Sequence, residues 1–224
     1  TIDRLAGALA RKLMLDSADV AIHLSDSAYC ARWGYDTATV AALFVPNTYD
    51  IYWNVGLDRL MERMEKENQK FWNDERRGKA EAMGMTPVEV ATMASIIDEE
   101  TANNAEKPMI AGMYYNRLKA GMPLQADPTI KFALKDFALR RIYHKLLYID
   151  SPYNTYRYEG LPPGPIKIAS IAGIDAVLNH VEHDYLYMCA KEDFSGTHNF
   201  ARTYQEHLQN AARYTKALNE RGIK

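Results

Sequence analysis

The sequence contains very little cysteine, and its two cysteines lie far apart. Cys30 and Cys189 are the only thiols among 224 residues. Neither belongs to a Cys-x-x-Cys pair or to a Cys/His cluster with the spacing of metal ligands, so a structural zinc site is not expected. We predict no metal and no cofactor. Two isolated thiols do not form a disulfide framework, and they do not indicate in which cellular compartment the protein lies.

Long apolar runs and an excess of one charge are also missing. No segment approaches the roughly 18 consecutive apolar residues of a membrane span, and no signal peptide opens the chain. The 27 Lys and Arg residues nearly balance the 29 Asp and Glu residues. Proteins dedicated to nucleic acid usually carry a basic face, so nucleic acid is not expected as a partner. The chain starts at Thr1 inside an amphipathic stretch, and we expect it to be a fragment of a longer protein.

The residues that are present favour a mainly helical protein. Hydrophobic residues make up 47% of the chain, which is ample for a core. Apolar residues at helical spacing predict helices over residues 2–15, 57–79, 87–103, 107–119 and 201–221, with short helices after Asp16 and Asp36. Residues 185–190 are the best strand candidate. Because there is no βαβ alternation, the predicted fold class is α+β, a mainly helical domain with a small β-sheet.

Three consecutive acids lie near the end of the helix predicted over residues 87–103. At about 100° per residue, Glu100 continues the apolar stripe, whereas Asp98 lies on its flank and Glu99 projects away. A carboxyl group held against apolar side chains keeps its proton to higher pH, which is the property of a general acid. Helix geometry alone favours a plainer interpretation, in which Glu100 marks where the helix emerges into water. The stripe consists of Val90, Met93, Ala94, Ile96 and Ile97.

Four loop motifs combine proline, glycine and hydrogen-bonding side chains. They cover residues 124–129, 151–156, 160–165 and 196–200. Fixed polar groups beside aromatic rings suit a saccharide, which offers hydroxyls and apolar C–H faces. The 15 tyrosines of the chain fit the same use, although any single one is more often a half-buried residue. Each motif taken alone is more often a turn. The hypothesis of a saccharide site therefore rests on the presence of four such motifs in one chain.

The ordered set of motifs resembles the YceG-like endolytic murein transglycosylases, the MltG family. The matching segments are residues 94–101, 115–118, 121–129, 153–156 and 160–166, and the resemblance covers about residues 44 to 218. Residues 1–43 are similar, more weakly, to the segment that joins a LysM-like module to the catalytic domain in that family. The resemblance therefore implies a helical joining segment over 1–43 and a transglycosylase catalytic domain over 44–224.

The resemblance implies that Glu100 is the catalytic acid and base of a lyase. In such enzymes the carboxylic acid protonates the glycosidic oxygen between N-acetylmuramic acid and N-acetylglucosamine. The carboxylate then removes the proton of the muramoyl C6 hydroxyl, which closes onto C1 and leaves a 1,6-anhydromuramoyl end without water. Cleavage of this kind would end the elongation of nascent glycan strands.

Substrate-binding residues, partners and location are implied in the same way. The expected partners are the glycan strands of peptidoglycan and the cell-wall synthases. The expected location is the bacterial cell envelope, with an inner-membrane anchor that this sequence does not contain and a catalytic domain outside the cytoplasm. The implied substrate-binding residues are Asn116, Gln125, Asp127, Thr129, Tyr153, Asn154, Thr155, Tyr156, His198 and Phe200.

The sequence departs from the family pattern at a few positions near the matching motifs. Asn47 stands where the family commonly has Asp, and Ala201 stands where it often has Asn. Asp98 and Glu99 precede the catalytic position, where Glu-Lys is common. These departures put substrate contacts near Asn47 and Ala201 in doubt, but they leave Glu100 in place.

Two other functions stay open from the sequence. A hydrolase of the same glycan would use Asp127 or Glu106 as a second carboxylate, which activates water or acts as the nucleophile. A catalytically silent glycan-binding or scaffold module of a cell-wall synthesis complex would bind strands without cleaving them. His198 could be a second acid or base, although a hydrogen-bonding role in its loop is the favoured interpretation.

Overall fold

The structure, a computed structural model, describes residues 1–139 and 142–222. Within them, ten α-helices accompany one two-stranded antiparallel sheet, which confirms the α+β class. The chain forms two compact units, residues 1–96 with 161–174 and residues 97–160 with 175–224. The division after residue 43 into a joining segment and a catalytic domain stays a prediction, and residues 223–224 of the latter lie outside the described part.

The first unit is helical around its own apolar core. Its helices are α1 (Ile2–Ala10), α2 (Ser17–Leu24), α3 (Ser27–Ala31), α4 (Leu57–Phe71), α5 (Asp74–Ala82) and the first ten residues of α6 (Pro87–Glu100), with a 3-10 turn at Val40–Leu43. Asp16 and Asp26 cap α2 and α3, because their carboxylates accept backbone N–H groups that the first turn leaves unpaired. The core contains Ala6, Val20, Leu24, Tyr29, Cys30, Val40, Leu43, Phe44, Leu60, Met61 and Met64.

Three of the predicted helices in this unit differ from the structure. The helix predicted over residues 2–15 ends at Ala10, where a turn at Arg11 and Lys12 follows. A single helix over residues 57–79 is wrong, because α4 ends before Trp72 and the Asn73 side chain caps α5 by accepting from the Arg76 N–H. Apolar spacing continued through the break and hid this cap. The short helix after Asp36 is only the 3-10 turn, since the Asp36 carboxylate binds the N–H groups of Ala38 and Thr39.

Helix α6 begins where the sequence predicts and carries the predicted apolar stripe. Thr86 Oγ1 accepts from the Glu89 N–H at 3.2 Å, and a Glu89 carboxylate oxygen accepts from the Thr86 N–H at 2.7 Å. This reciprocal pair is a capping box. The helix ends at Glu100, three residues earlier than predicted. All five stripe residues are buried.

The part of the Gly-Pro motif at residues 161–165 has a packing role in the first unit. The Ile166 N–H donates to the buried hydroxyl of Ser95 at 3.0 Å. At Gly164, any Cβ would overlap the carbonyl oxygen of Ala38. The backbone can therefore approach this closely only because position 164 has no side chain.

The second unit holds three complete helices and a hairpin. The helices are α7 (Lys107–Lys119), α8 (Asp127–Leu134) and α10 (Tyr204–Glu220), and α10 packs against both strands of the hairpin. The unit also contains a 3-10 turn at His144–Tyr148 and the last four residues of α9 (Ile171–Leu178). Strand β1 (Tyr187–Ala190) pairs antiparallel with β2 (His198–Ala201), so that Tyr187 lies opposite Ala201 and Ala190 opposite His198. A capping box of Thr203 and Glu206 starts α10.

Two motifs that the sequence predicts as loops are regular structure. Residues 127–129 begin α8, because Pro128 occupies an early helical position where its missing N–H is not needed. Residues 198–200 form most of β2. This strand is stabilised by backbone hydrogen bonds to β1, which the local sequence of β2 does not reveal. Helix α9 was not predicted. The strand prediction over 185–190 is confirmed for β1, and α7 and α10 match their predictions closely.

No helix in residues 1–139 and 142–222 is long and apolar enough to cross a membrane.

A close approach inside the second unit generates a test of the packing. We predict that Gly112→Ala lowers the free energy of unfolding by about 2 kcal/mol. The reason is that a Cβ on α7 would overlap the carbonyl oxygen of Val181 and approach His183 Nε2 to 2.8 Å. Gly78→Ala, in the open face of α5, is the matched control and should stabilise by about 0.5–1 kcal/mol. Urea denaturation measures the free energy of unfolding of both variants. If both substitutions changed it equally and in the same direction, the close packing at Gly112 would be contradicted.

Candidate active site

A cleft of about 420 Å³ opens within the second unit. Its size falls in the range of small-ligand sites. The walls come from the end of α6, from α7, from the segment that leads into α8, from both strands and from α10. The lining residues are Glu100, Met113, Tyr114, Arg117, Leu124, Gln125, Asp127, Tyr156, Tyr187, Met188, Cys189, Ala190, His198, Tyr204 and His207.

Glu100 lies at the C-terminal end of α6 and reaches the cleft. Burial raises the pKa of this carboxyl to about 7, from an ordinary value of 4.5. The hydrogen bond from Tyr114 acts in the opposite direction, and the nearby Asp127 charge raises the pKa further. The carbonyl end of a helix also disfavours a negative charge. Glu100 is therefore substantially protonated at neutral pH.

The other two acids of the run have different surroundings. Asp98 forms an ion pair with Lys107 at 2.6 Å, and both side chains are almost completely buried. The pair joins the last turn of α6 to the first residue of α7. Glu99 is exposed. The structure therefore agrees with the positions predicted from helix geometry, and Glu100 is the member of the run that lines the cleft.

Tyr114 on α7 holds the carboxyl of Glu100. Its hydroxyl donates to Glu100 Oε1 at 2.7 Å, and its ring is 2% exposed. Burial and the adjacent carboxyl raise the pKa of Tyr114 well above its usual value, so the phenol keeps its proton. A phenol that remains protonated can donate to Glu100 in both of its charge states. It thus fixes one oxygen and leaves the other to a ligand.

Arg117, one turn further along α7, fixes the wall opposite that hydrogen bond. The guanidinium is 5% exposed and donates to the carbonyl oxygens of Leu186, Pro123 and Leu124 at 2.6–2.9 Å. It also lies 5.2 Å from the centre of the Tyr187 ring. A planar donor with several N–H groups can satisfy this many acceptors at once. Arg117 therefore ties β1 to the segment that precedes α8.

Asp127 and Tyr156 form a second polar pair in the cleft. Tyr156 donates its hydroxyl to Asp127 Oδ1, and both residues line the cleft. Burial and then this hydrogen bond raise the pKa of Tyr156. Asp127 is the first residue of α8, where the free N–H groups of a helix favour a carboxylate.

The backbone before α8 is held by buried hydroxyls. Gln125 has a left-handed φ of 54° and donates its N–H to the Thr155 carbonyl at 2.9 Å. Thr155 Oγ1 accepts from the Ala126 N–H at 3.0 Å and lies 2.8 Å from the Thr129 hydroxyl. Gln125 and Asp127 are thereby aimed into the cleft, whereas Thr129 and Thr155 are buried outside its lining.

The remaining sequence-predicted binding residues have partners inside the protein. The Asn154 amide donates to the carbonyls of Leu147 and Ile149, and the Asn116 amide donates to the carbonyl of His183 at 2.6 Å. Tyr153 packs on the Phe132 ring, with centroids 4.6 Å apart, and Phe200 lies 5.8 Å from Tyr185. None of these four residues lines the cleft. Their contact with substrate stays a prediction.

His198 lies on β2 of the hairpin, as does Phe200. Its backbone N–H donates to Glu106 Oε1 at 2.6 Å, and its Nδ1 lies 3.1 Å from Glu106 Oε2. His198 lines the cleft and Glu106 does not. Of the two departures from the family pattern, Ala201 is buried in β2, and Asn47 is an exposed residue of the first unit.

Several lining residues were not singled out from the sequence. They are Tyr114, Arg117, Tyr187, Tyr204 and His207. The high tyrosine count indicated the residue type, but only the fold shows which rings share a cleft with Glu100. In the part of the chain that the structure describes, no group of three His, Cys, Asp or Glu side chains is arranged to hold a metal ion.

The fold and the site define a class, an α+β protein with one carboxyl of raised pKa in a tyrosine-rich cleft. The YceG-like family model matches residues 1–213, and the chain belongs to this family. The crystal structure of a YceG-like protein from Listeria monocytogenes superposes with a TM-score of 0.79 and 31% identity, over 93% of this chain and 72% of that one.

Curated relatives match a shorter part of the chain. An endolytic murein transglycosylase of Bacillus subtilis is 44% identical over 133 residues, which are 58% of this chain and 35% of that protein. An endolytic murein transglycosylase of Streptococcus pneumoniae is 29% identical over 165 residues, which are 72% of this chain and 29% of that protein. The chain spans about a third of the length of the curated relatives it matches.

The raised pKa of Glu100 has a consequence for stability. Since the unfolded chain releases this proton near pH 4.5 and the folded chain near pH 7, the wild type loses stability between these values. We predict that Glu100→Gln stabilises the protein on the order of 2 kcal/mol at pH 8, with a much smaller effect at pH 5. Denaturation at both pH values measures this difference. The exposed Glu99→Gln is the control, and an equal effect of pH on both variants would contradict the burial.

Proposed function

We propose that this chain is the catalytic part of an endolytic peptidoglycan lytic transglycosylase, a lyase that cleaves the β-1,4 bond between N-acetylmuramic acid and N-acetylglucosamine. The main support for this proposal is the environment of the Glu100 carboxyl. Its carboxyl is held by Tyr114 in a cleft, with a pKa of about 7. A group that is part acid and part base at neutral pH serves both halves of such a reaction. Membership of the YceG-like family supports the same chemistry.

The proposed reaction uses Glu100 twice. Its carboxylic acid gives a proton to the glycosidic oxygen as the bond to C1 of the muramoyl residue breaks. The resulting carboxylate takes the proton of the muramoyl C6 hydroxyl, whose oxygen bonds to C1. The products are a new N-acetylglucosamine end and a 1,6-anhydromuramoyl end. No water is consumed, and Glu100 finishes protonated.

The surroundings of Glu100 suit a saccharide. Tyrosines 156, 187 and 204 line the cleft and offer ring faces for apolar C–H groups. The exposed side chains of Gln125 and Asp127 provide fixed polar groups beside them. A carboxylate at Asp127 would also favour the positive charge that develops at C1. We propose these residues, with His198, as the substrate contacts.

A hydrolase of the same glycan is less well supported. It would need a second carboxylate that is free to activate water or attack C1. Both oxygens of Glu106 are engaged by His198, and Glu106 does not line the cleft. Asp127 lines the cleft, but one of its oxygens accepts from Tyr156. The products separate the two functions, since a hydrolase leaves reducing muramoyl ends.

A silent scaffold module of a cell-wall synthesis complex is the other alternative. Such a module has no use for a carboxyl kept protonated in a cleft, because the burial of Glu100 destabilises the folded chain at neutral pH. Action on peptidoglycan would place the chain outside the cytoplasm. An inner-membrane anchor in the full-length protein and association with cell-wall synthases remain predictions.

We predict that Glu100→Gln reduces cleavage of peptidoglycan by at least about 10³-fold. The amide keeps the shape of the side chain and can accept from Tyr114, but it has no acidic proton to give. The assay digests purified peptidoglycan and identifies the released fragments by mass spectrometry. The wild type should produce 1,6-anhydromuramoyl ends.

The control for this experiment is Glu99→Gln, which removes the neighbouring exposed carboxylate and should cleave within about twofold of the wild type. Wild-type cleavage by Glu100→Gln would overturn the assignment of the acid. Reducing ends in place of anhydro ends would instead indicate a hydrolase. Binding of strands without cleavage by the wild type would support the scaffold module.

A further inference from the structure

A buried carboxylate lies behind His198 at the edge of the cleft. The side chain of Glu106 is 8% exposed, and that of His198 is 15% exposed. Glu106 precedes α7, whereas His198 is the first residue of β2, 92 positions later in the chain. One carboxylate oxygen accepts the His198 backbone N–H at 2.6 Å, and the other faces His198 Nδ1 at 3.1 Å. Backbone and ring of the same histidine are thus held by one carboxylate.

This geometry determines which ring nitrogen carries the proton. A carboxylate oxygen can only accept, so His198 Nδ1 must be the donor in that contact. In the neutral imidazole the proton is then on Nδ1, and Nε2 has a free lone pair. The pairing resembles in principle the way that a carboxylate fixes the tautomer of a histidine in other active sites.

The second ring nitrogen is available to a ligand. No protein hydrogen bond to His198 Nε2 occurs among the described residues, and this atom is not among the buried polar atoms that lack a partner. His198 lines the cleft that contains Glu100. Nε2 is therefore the ring atom through which His198 can accept a hydrogen bond from a ligand in that cleft.

We propose that Glu106 and His198 form a positioning pair, in which Glu106 holds His198 in the Nδ1–H tautomer so that Nε2 accepts a hydrogen bond from a hydroxyl of the bound glycan. The inference rests on the proposed function for the identity of the ligand. Glu106 is a positioning residue, since it acts through His198. The proton of the reaction still moves to and from Glu100, and no bond is made or broken at His198.

In this pair an amide at position 106 cannot replace the carboxylate. The carboxylate of Glu106 offers one oxygen to the His198 backbone N–H and the other to His198 Nδ1–H. In Glu106→Gln one of these oxygens is replaced by an N–H₂ group, which would then face one of the two N–H donors. The conflict is relieved if the ring moves its proton to Nε2 and Nδ1 accepts from the amide. Nε2 then becomes a donor and loses the hydroxyl.

The first test reads the tautomer directly. Nitrogen-15 chemical shifts of the His198 ring, at a pH where it is neutral, should identify Nδ1–H in the wild type and Nε2–H in Glu106→Gln. Addition of uncrosslinked glycan strands to the non-cleaving Glu100→Gln protein should shift the Nε2 resonance. Nε2–H in the wild type, or an Nε2 resonance that does not respond to strands that bind, would overturn the proposal.

The second test is kinetic. Glu106→Gln and His198→Ala should each lower kcat/KM for strand cleavage about tenfold, the size of one lost hydrogen bond to the substrate. The double variant should be no worse than His198→Ala, because the two residues act through one contact. Additive losses, or unchanged cleavage in both single variants, would overturn the pair.

The controls keep this result separate from the proposed function. Glu182→Gln and His144→Ala change exposed residues of the same unit that lie outside the cleft, and they should cleave within about twofold of the wild type. If Glu106→Gln does not fold, the wild-type tautomer and its response to strands still decide the proposal. A wild-type chain that cleaves nothing would overturn the proposed function, whereas the tautomer measurement would stand by itself.

Discussion

The desolvation of one carboxyl group, opposed by one hydrogen bond, sets the properties of the site. Glu100 emerges at the end of α6 into a cleft in which burial favours its neutral form and Tyr114 favours its charged form. Burial prevails, and the pKa reaches about 7. Without the burial Glu100 would be an ordinary carboxylate with no proton to give at neutral pH. Without Tyr114 the carboxyl would have no fixed direction and would ionise less readily.

Two buried charged groups of the second unit hold together the segments around the Glu100 carboxyl. The ion pair of Asp98 with Lys107 joins the end of α6 to the start of α7, the helix that carries Tyr114. Arg117, on the same helix, donates to the carbonyl of Leu186, just before β1, and to that of Leu124, before α8. The Asp98–Lys107 pair and the Arg117 guanidinium are buried charges with partners inside the protein. Removing one partner of such a group leaves an uncompensated buried charge and is strongly destabilising.

The sequence predicted the features that local rules control. The Thr86–Glu89 cap, the apolar stripe of α6 and the three directions of the consecutive acids follow from helical geometry, and the structure agrees with them. Strand β2 was missed because its ladder bonds come from β1, and α8 was missed because a helix-starting Pro128 was interpreted as a turn. Tyr114 has no sequence signal of its own. Arg117 lies in the matching segment 115–118, but its role depends on the carbonyl groups that the fold brings to it.

The most direct measurement is a titration of the Glu100 carboxyl by carbon-13 NMR, with Glu100→Gln used to assign the resonance. The expected pKa of this group is about 7. A carboxyl that is already ionised at pH 5.5 would contradict the account, because the acid would then have no proton to give at neutral pH.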